Sequence, residues 1–398
     1  MWPLLIVSAL FHGYAGLRLL PALADWVQVW ALTGALVVSA LSMPLGLVGQ
    51  RLARSPAAEP AMRVLTWVGL LCMGFFSSLM VLTLVRDGGL MALWAASSAG
   101  VPANALSAEH ISRLSAQAVP LLAAAVTLWG FVNARRIAAV VRVDVPLTGL
   151  APALHGFTLA QISDIHVGPT IKRRYLQRIV QRVNSLCVDV VAVTGDLIDG
   201  SVAELACHVA PLADLKSRHG TFFVTGNHEY YSGAHAWIDE LRRIGLTVLI
   251  NEHVVIKQPA LNMRCPSGTP TPSVLAAPLV LAGVTDFHAA YFDPAHRTDP
   301  AAALAGAPEG APRVLLAHQP RSADAAQRAG FDLQLSGHTH GGQFWPWNLF
   351  VPLQQPFTAG LNRLGSLWVY TSRGTGYWGP PKRFGAPSEI TLIRLVPA

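Results

Sequence analysis

Hydrophobic and polar positions alternate in two different ways along this chain. Up to about residue 145 the apolar residues form long blocks, at Leu4–Leu23, Trp26–Val48, Val64–Val85 and Ala116–Val132. Each block is close to the ~20 residues that a helix needs to cross a bilayer. Beyond residue 156 the apolar runs are short and end in polar, glycine-containing turns. These predict strands at Phe157–Ile162, Val188–Val193, Thr221–Val224, Leu246–Ile256, Leu279–Val284, Val314–Ala317, Phe331–Leu335, Leu367–Thr371 and Glu389–Val396. Between them, Ile171–Leu186, Ala203–Lys216, Ala234–Ile244 and Ser322–Ala329 read as helices. In the first, Ile171, Leu176, Ile179, Val180, Val183 and Leu186 fall on one face. The pattern predicts an N-terminal transmembrane helical bundle over 1–145, a linker over 146–156 and a C-terminal α/β domain over 157–398. That domain should be a sandwich of two β-sheets flanked by helices. Gly88–Ser98 reads as a short interfacial helix, and the proline-punctuated stretch from Pro259 to Pro278 as a long irregular loop.

Composition sharpens this division. The chain is 52% hydrophobic and only 13% charged, against about a quarter charged in an ordinary globular protein. Residues 1–150 hold 9 of the 29 Lys+Arg and 5 of the 22 Asp+Glu, so the remainder has an ordinary soluble balance. Arg51, Arg54 and Arg63 lie between the second and third spans, and Arg135, Arg136 and Arg142 follow the fourth; Arg18, Arg86 and Arg113 lie on the other side. This bias places both termini, and the C-terminal domain, in the cytoplasm. The net charge of +7 is shared between the two parts, and no nucleic-acid partner is expected. Cys72, Cys187, Cys207 and Cys265 have no paired spacing, so neither a disulfide framework nor a thiolate metal knuckle is expected. The bundle has no acidic residue deep in a span, which favours an anchor over a transporter. His12 and Arg18 in the first span are expected to pack and to reach the interface, respectively.

The chemistry lies at the ends of the strands. Asp164 and His166 follow the first strand, and Gly195, Asp196 and Asp199 the second. Gly226, Asn227, His228 and Glu229 follow the third, His318 the Val314–Ala317 strand, and Gly337, His338 and His340 the Phe331–Leu335 strand. Open α/β sheets gather their sites at the carboxyl edge. Two aspartates, an asparagine and several histidines without a thiolate suit borderline ions such as Mn²⁺, Fe²⁺ or Zn²⁺. They are too many for one tetrahedral ion, and two divalent ions sharing a carboxylate would use them all.

These blocks, Asp164-Ile-His166, Gly195-Asp196, Gly226-Asn227-His228-Glu229, His318 and Gly337-His338-Thr-His340, resemble the signature of the calcineurin-like metallophosphoesterase superfamily. The resemblance covers about 157–396. It implies that Asp164, His166, Asp196 and His340 hold one ion, and that Asp196, Asn227, His318 and His338 hold the other. His228 is then the non-ligand catalytic histidine beside the scissile phosphate. The ending, with Ser372-Arg373-Gly374, Gly379-Pro-Pro-Lys382-Arg383 and Pro387-Ser-Glu-Ile, is similar to bacterial membrane-associated YaeI/YkuE-type phosphoesterases. That subgroup in turn resembles UDP-2,3-diacylglucosamine pyrophosphatases.

The resemblance implies a metal-dependent hydrolase of phosphodiester or pyrophosphate bonds, anchored in a bacterial inner membrane and acting on a lipid-linked phosphate-ester substrate such as UDP-2,3-diacylglucosamine. Soluble nucleotides or other diesters are the alternative substrates, and a membrane sensor or transport component with an auxiliary phosphoesterase domain is the alternative class. Arg373, Lys382 and Arg383 are candidate substrate-binding residues, because guanidinium forks match phosphate. Glu229 and Asp199 are either buttresses of the ligands or solvated, and Asp286 and His288 either reach substrate or form a turn. The basic face of Lys172, Arg173, Arg174, Arg178 and Arg182 is expected to lie against anionic membrane lipid. Nothing in the sequence indicates an oligomeric state.

Overall fold

The computed structural model describes residues 2–52, 59–99, 108–258 and 277–398. Arg54, Cys265 and most of the expected loop after Pro259 lie outside the described residues. The chain forms two compact units, one of residues 1–135 with 379–384 and one of residues 136–378 with 385–398.

The first unit is built on α1 (Trp2–Leu19), α2 (Trp26–Leu52), α3 (Glu59–Ser98) and α4 (Ala108–Arg135). All four are long and apolar enough to cross a membrane. Their packing differs from that of a water-soluble bundle in the face turned outward. Large apolar residues such as Leu10, Trp26, Val27, Leu121 and Leu128 point outward, while Ser8, His12, Ala15, Ser39, Ala116 and Ala123 are buried. In a lipid solvent, apolar residues gain little by meeting one another, so small residues and hydrogen bonds set the contacts. His12 is an example: Nδ1 lies 2.7 Å from the Ser8 carbonyl and Nε2 2.8 Å from Ser39 Oγ, with the ring stacked on Phe76. Arg18 pairs with Asp87 at 2.8 Å. The expected separate helix at Gly88–Ser98 is instead the continuation of α3. An existing helix extends at little cost through Leu-Met-Ala-Leu-Trp-Ala-Ala, whatever the two glycines before it contribute.

The second unit opens earlier than position 145. β1 (Ala139–Leu147) pairs in parallel with β12 (Glu389–Pro397) over nine residues. Residues 139–145 therefore belong to the α/β domain, and the expected linker over 146–156 starts inside this strand. β1 carries Arg142 and Asp144 on its outward side, so in sequence it resembles the polar flank of a membrane span.

The remaining elements follow in chain order: β2 (Thr158–Ile162), α5 (Arg173–Asn184), β3 (Val190–Val193), α6 (Val202–Val209), β4 (Thr221–Phe223), α7 (Asn227–Tyr231), α8 (Ala234–Arg243), β5 (Thr247–Val248) and β6 (Glu252–Gln258). Then come β7 (Ala277–Gly283), α9 (Pro300–Ala303), β8 (Arg313–Leu316), α10 (Ala323–Ala329), β9 (Leu333–Ser336), β10 (Gly360–Leu364) and β11 (Leu367–Thr371). One sheet has the order β1-β12-β2-β3-β4-β5 and the other β10-β11-β9-β8-β7-β6.

The single strand expected over Leu246–Ile256 is two, β5 on the edge of the first sheet and β6 on the edge of the second. Asn251 between them takes a positive φ of 53°, which turns the chain from one layer to the other. The layers meet over a core that includes Leu159, Val190, Ala192, Phe222 and Ile393 from one sheet and Leu281, Val314, Leu316, Leu333 and Leu335 from the other. On the far side of the second sheet, Ala282, Leu315, Ala317 and Val369 pack with Ala323 and Ala326 of α10. Strands covered on both faces must be apolar throughout, which is why β3 is buried at every position.

At the crossing of α2 and α3, a Cβ on Gly69 would collide with the Ser42 carbonyl and lie 2.8 Å from the Gly46 Cα. Gly69→Ala should therefore destabilise the helical unit by about 1–3 kcal/mol. Gly13→Ala, with open space around its Cβ, should not. Thermal midpoints of the detergent-solubilised variants check this.

Candidate metal centre

The carboxyl ends of β2, β3, β4, β8 and β9, three from one sheet and two from the other, deliver the expected ligands to one place. Asp164, His166 and His340 form one group of converging donor atoms, and Asp196, His318 and His338 form another; Asp196 also groups with His166 and His228. His166 Nε2 lies 3.0 Å from His340 Nε2, and His340 Nε2 lies 3.5 Å from Asp164 Oδ1. On the other side, His318 Nε2 is 3.2 Å from Asp196 Oδ2 and 3.2 Å from His338 Nδ1. Asp164 and His318 are completely buried.

Partners on the far side of each ring orient the donors. His318 Nδ1 is 2.8 Å from the Thr194 carbonyl. A carbonyl only accepts, so Nδ1 carries the hydrogen and Nε2 presents its lone pair inward. One oxygen of Asp199 lies 2.9 Å from His166 Nδ1 and 2.6 Å from His228 Nδ1. As an ionised carboxylate it accepts from both, leaving both Nε2 atoms turned toward Asp196 at 3.9 Å. Burial opposes the Asp199 charge, yet the two imidazoles hold its carboxyl at about 2. Burial likewise works against a charged His228, but Asp199 and Asp196 bring it up to about 9. For Asp196, burial pushes up, and the facing His318, His228 and His166 hold it well below the carboxylate range.

Glu229 is fully buried and clamps two loops together. Its carboxylate accepts the Gly226 N–H at 2.6 Å and the Asp196 and Leu197 N–H groups at 3.0 and 2.8 Å. Burial, reinforced by Asp196, pushes it up to about 7.

Three observations mark these residues as a site for cations. Asn227 Oδ1 is buried without a hydrogen-bond partner, a position that costs about 1–3 kcal/mol unless something accepts its lone pairs. A divalent ion is such a partner. Five of the eight described non-glycine residues with positive φ are Asp164, His166, Asp196, His338 and His340, at 50–69°. Such strain, about 1–3 kcal/mol per residue, collects at functional sites. Finally, the backbone at Gly337 lies so close to Ser163 Oγ and Asp164 Oδ2 that a Cβ would collide with both. The donor set fits divalent borderline ions without alteration.

The other expected residues are placed differently. Arg373 pairs with Glu389 at 2.9 Å. Lys382 and Arg383 belong to the helical unit. There the Lys382 ammonium donates to the Gly74 carbonyl at 2.7 Å and to Ser78 Oγ at 2.5 Å. This ammonium is taken up by helix oxygens, and Arg383 is wholly buried. Asp286 is buried, accepting from Gln319 Nε2 at 2.9 Å and from the His288 N–H at 2.9 Å. It therefore stabilises a turn. The Thr194 carbonyl, and the Tyr231 and Trp378 rings 5.2 and 5.9 Å from His228, were not foreseen. A backbone carbonyl leaves no mark on side-chain spacing, and the rings come from distant positions.

The fold and site define a calcineurin-like phosphoesterase, and the model of that family matches residues 157–342. An uncharacterized metallophosphoesterase of Aquifex aeolicus is 31% identical over 235 residues, covering 58% of this chain and 82% of that protein. The chain belongs to this family. The "Transmembrane protein with metallophosphoesterase domain" of Danio rerio is 39% identical over 280 residues, covering 69% of this chain and 61% of that protein. The chain thus spans about three fifths of that relative's length. The UDP-2,3-diacylglucosamine pyrophosphatase LpxG of Chlamydia trachomatis is 27% identical over 326 residues, covering 71% of this chain and 97% of that protein.

Gly337→Ala, which moves Asp164, and Asp196→Ala, which removes the carboxylate found in two of the three donor groups, should each lose bound divalent metal. Elemental analysis of dialysed full-length protein against wild type measures this.

Proposed function

We propose that the chain is a membrane-anchored phosphoesterase with two divalent ions, cleaving a phosphodiester or pyrophosphate bond in a lipid-linked substrate. The observation that carries this reading is the orphaned Asn227 Oδ1 amid converging imidazole and carboxylate donors. In this reading Asp164, His166, Asp196 and His340 hold one ion, and Asp196, Asn227, His318 and His338 the other. The pair would lower the pKa of a water and neutralise charge on the phosphoryl oxygens.

His228 supplies the proton chemistry. Asp199 fixes its Nδ1, and its Nε2 is left to donate to the leaving oxygen. Asp199 therefore couples the orientation of a ligand, His166, to that of the acid, and Glu229 holds the Asp196 and Asn227 loops in register. Tyr231 and the half-exposed Trp378 flank His228 and shield one side of it from water.

The lipid-linked substrate is supported by the membrane-spanning helices and by the name of the chlamydial relative. Placing the domain in the cytoplasm of a bacterial inner membrane rests on the arginine bias. The outward face of α5, with Arg174, Arg178 and Arg182, suits anionic headgroups, since its apolar residues Leu176, Ile179, Val180 and Val183 are buried.

His228→Ala should retain metal content and lose about 10²–10⁴ in kcat; loss of metal in that variant would make it a ligand instead. Full-length enzyme in detergent with Mn²⁺ should hydrolyse UDP-diacylglucosamine with a higher kcat/KM than soluble nucleotides or bis(p-nitrophenyl) phosphate. Equal or better turnover of the soluble diesters would overturn the lipid-linked reading and leave the phosphoesterase intact.

A further inference from the structure

A second group of metal-ligating side chains lies outside the centre described above and shares no residue with it. His235 stands in the first turn of α8, while Asp293 caps and His296 ends the short 3₁₀ turn Pro294–His296 that follows β7 in the chain. One ligand atom from each lies within 4.8 Å of the other two. His235 Nε2 is 2.9 Å and His296 Nε2 4.0 Å from the same atom, Asp293 Oδ2. The two imidazole centroids are 4.8 Å apart.

Each side chain is held for this arrangement by a contact on its other side. Asp293 Oδ1 accepts the Ala295 N–H at 2.9 Å, which leaves Oδ2 facing the imidazoles. His296 Nδ1 lies 2.9 Å from the Tyr230 phenol oxygen. With Nδ1–H donated to that oxygen, Nε2 carries the lone pair toward Asp293, the usual way a ligating histidine is oriented. The side chain of His296 is 13% exposed, that of Asp293 26% and that of His235 72%. An ion can therefore enter from solvent and retain water in its open positions.

We propose that His235, Asp293 and His296 form an additional site for a divalent transition-metal ion of the zinc type. Two imidazoles and one carboxylate favour Zn²⁺, Co²⁺ or Ni²⁺ over Mg²⁺ and Ca²⁺, which prefer oxygen-only shells. An ion there ties α8 to the turn after β7. It also reaches α7 through Tyr230, two positions after His228. The ion staples the fold from outside the catalytic ligands. Because it binds the folded state, it raises the thermal midpoint in a saturable manner.

The test uses tag-free full-length protein in detergent, loaded with Co²⁺ or Zn²⁺ and dialysed. Wild type is compared with His235→Ala, Asp293→Asn and His296→Ala. The asparagine keeps a carbonyl oxygen for the Ala295 N–H, and His235 is exposed, so neither change removes a core contact. Each variant is expected to hold about one metal equivalent less than wild type. The wild-type-minus-variant Co²⁺ spectrum should show a d–d band, and phosphoesterase activity should be unchanged in the His235→Ala protein. Equal metal content in all four proteins with a flat difference spectrum would overturn the proposal, and would leave the reading of the Asp196 centre untouched.

Discussion

A buried carboxylate surrounded by inward-facing imidazole nitrogens cannot stand without positive charge, and the phosphoesterase domain is arranged around that constraint. Asp196 meets His318 at 3.2 Å and lies 3.9 Å from both His166 and His228. A proton and a divalent cation compete for these electron pairs. The positive φ at five of the expected ligands, the collision-tight Gly337 and the Glu229 clamp all serve to bring electron-rich atoms closer together than they would go unaided. Such an arrangement costs stability, and the well-packed two-sheet core beneath it supplies the offset.

The sandwich explains how donors so distant in sequence meet. Parallel strands within each sheet point their carboxyl ends the same way, so the loops after β2, β3 and β4 share an edge with those after β8 and β9. Neither sheet alone carries a complete set of ligands. Asp199 and Glu229 then connect the loops through hydrogen bonds accepted by their carboxyl oxygens. His228 and His166 consequently share one carboxylate oxygen of Asp199.

The helical unit obeys different rules because its solvent is lipid. Its interior combines leucines such as Leu19, Leu36 and Leu79 with small residues such as Ser8, Ala15 and Ala123 and a hydrogen-bonded histidine, while large apolar residues such as Leu10, Trp26 and Leu128 face outward. Lys382 shows the same rule at work on a cation. A charged ammonium in such an interior is tolerable only with several oxygen acceptors, and Gly74, Ser78 and Thr127 provide them.

Hydrophobic periodicity by itself determined the four spans, the α/β alternation and most strand positions, because burial on one face or two leaves a direct imprint on residue type. The ligand blocks were legible for a related reason: glycine and short polar residues directly after apolar runs are costly unless used. Tertiary structure alone decided what depends on distant partners. β1 exists because β12 is beside it, and the Leu246–Ile256 stretch divides because Asn251 sends its halves to different sheets. Asp199 and Glu229 are buttresses because two loops close over them, and the Lys382 ammonium lies against a helix carbonyl and a serine hydroxyl some 300 positions earlier. Local patterns record how much of a residue is buried, but only the folded chain determines which group it is buried against.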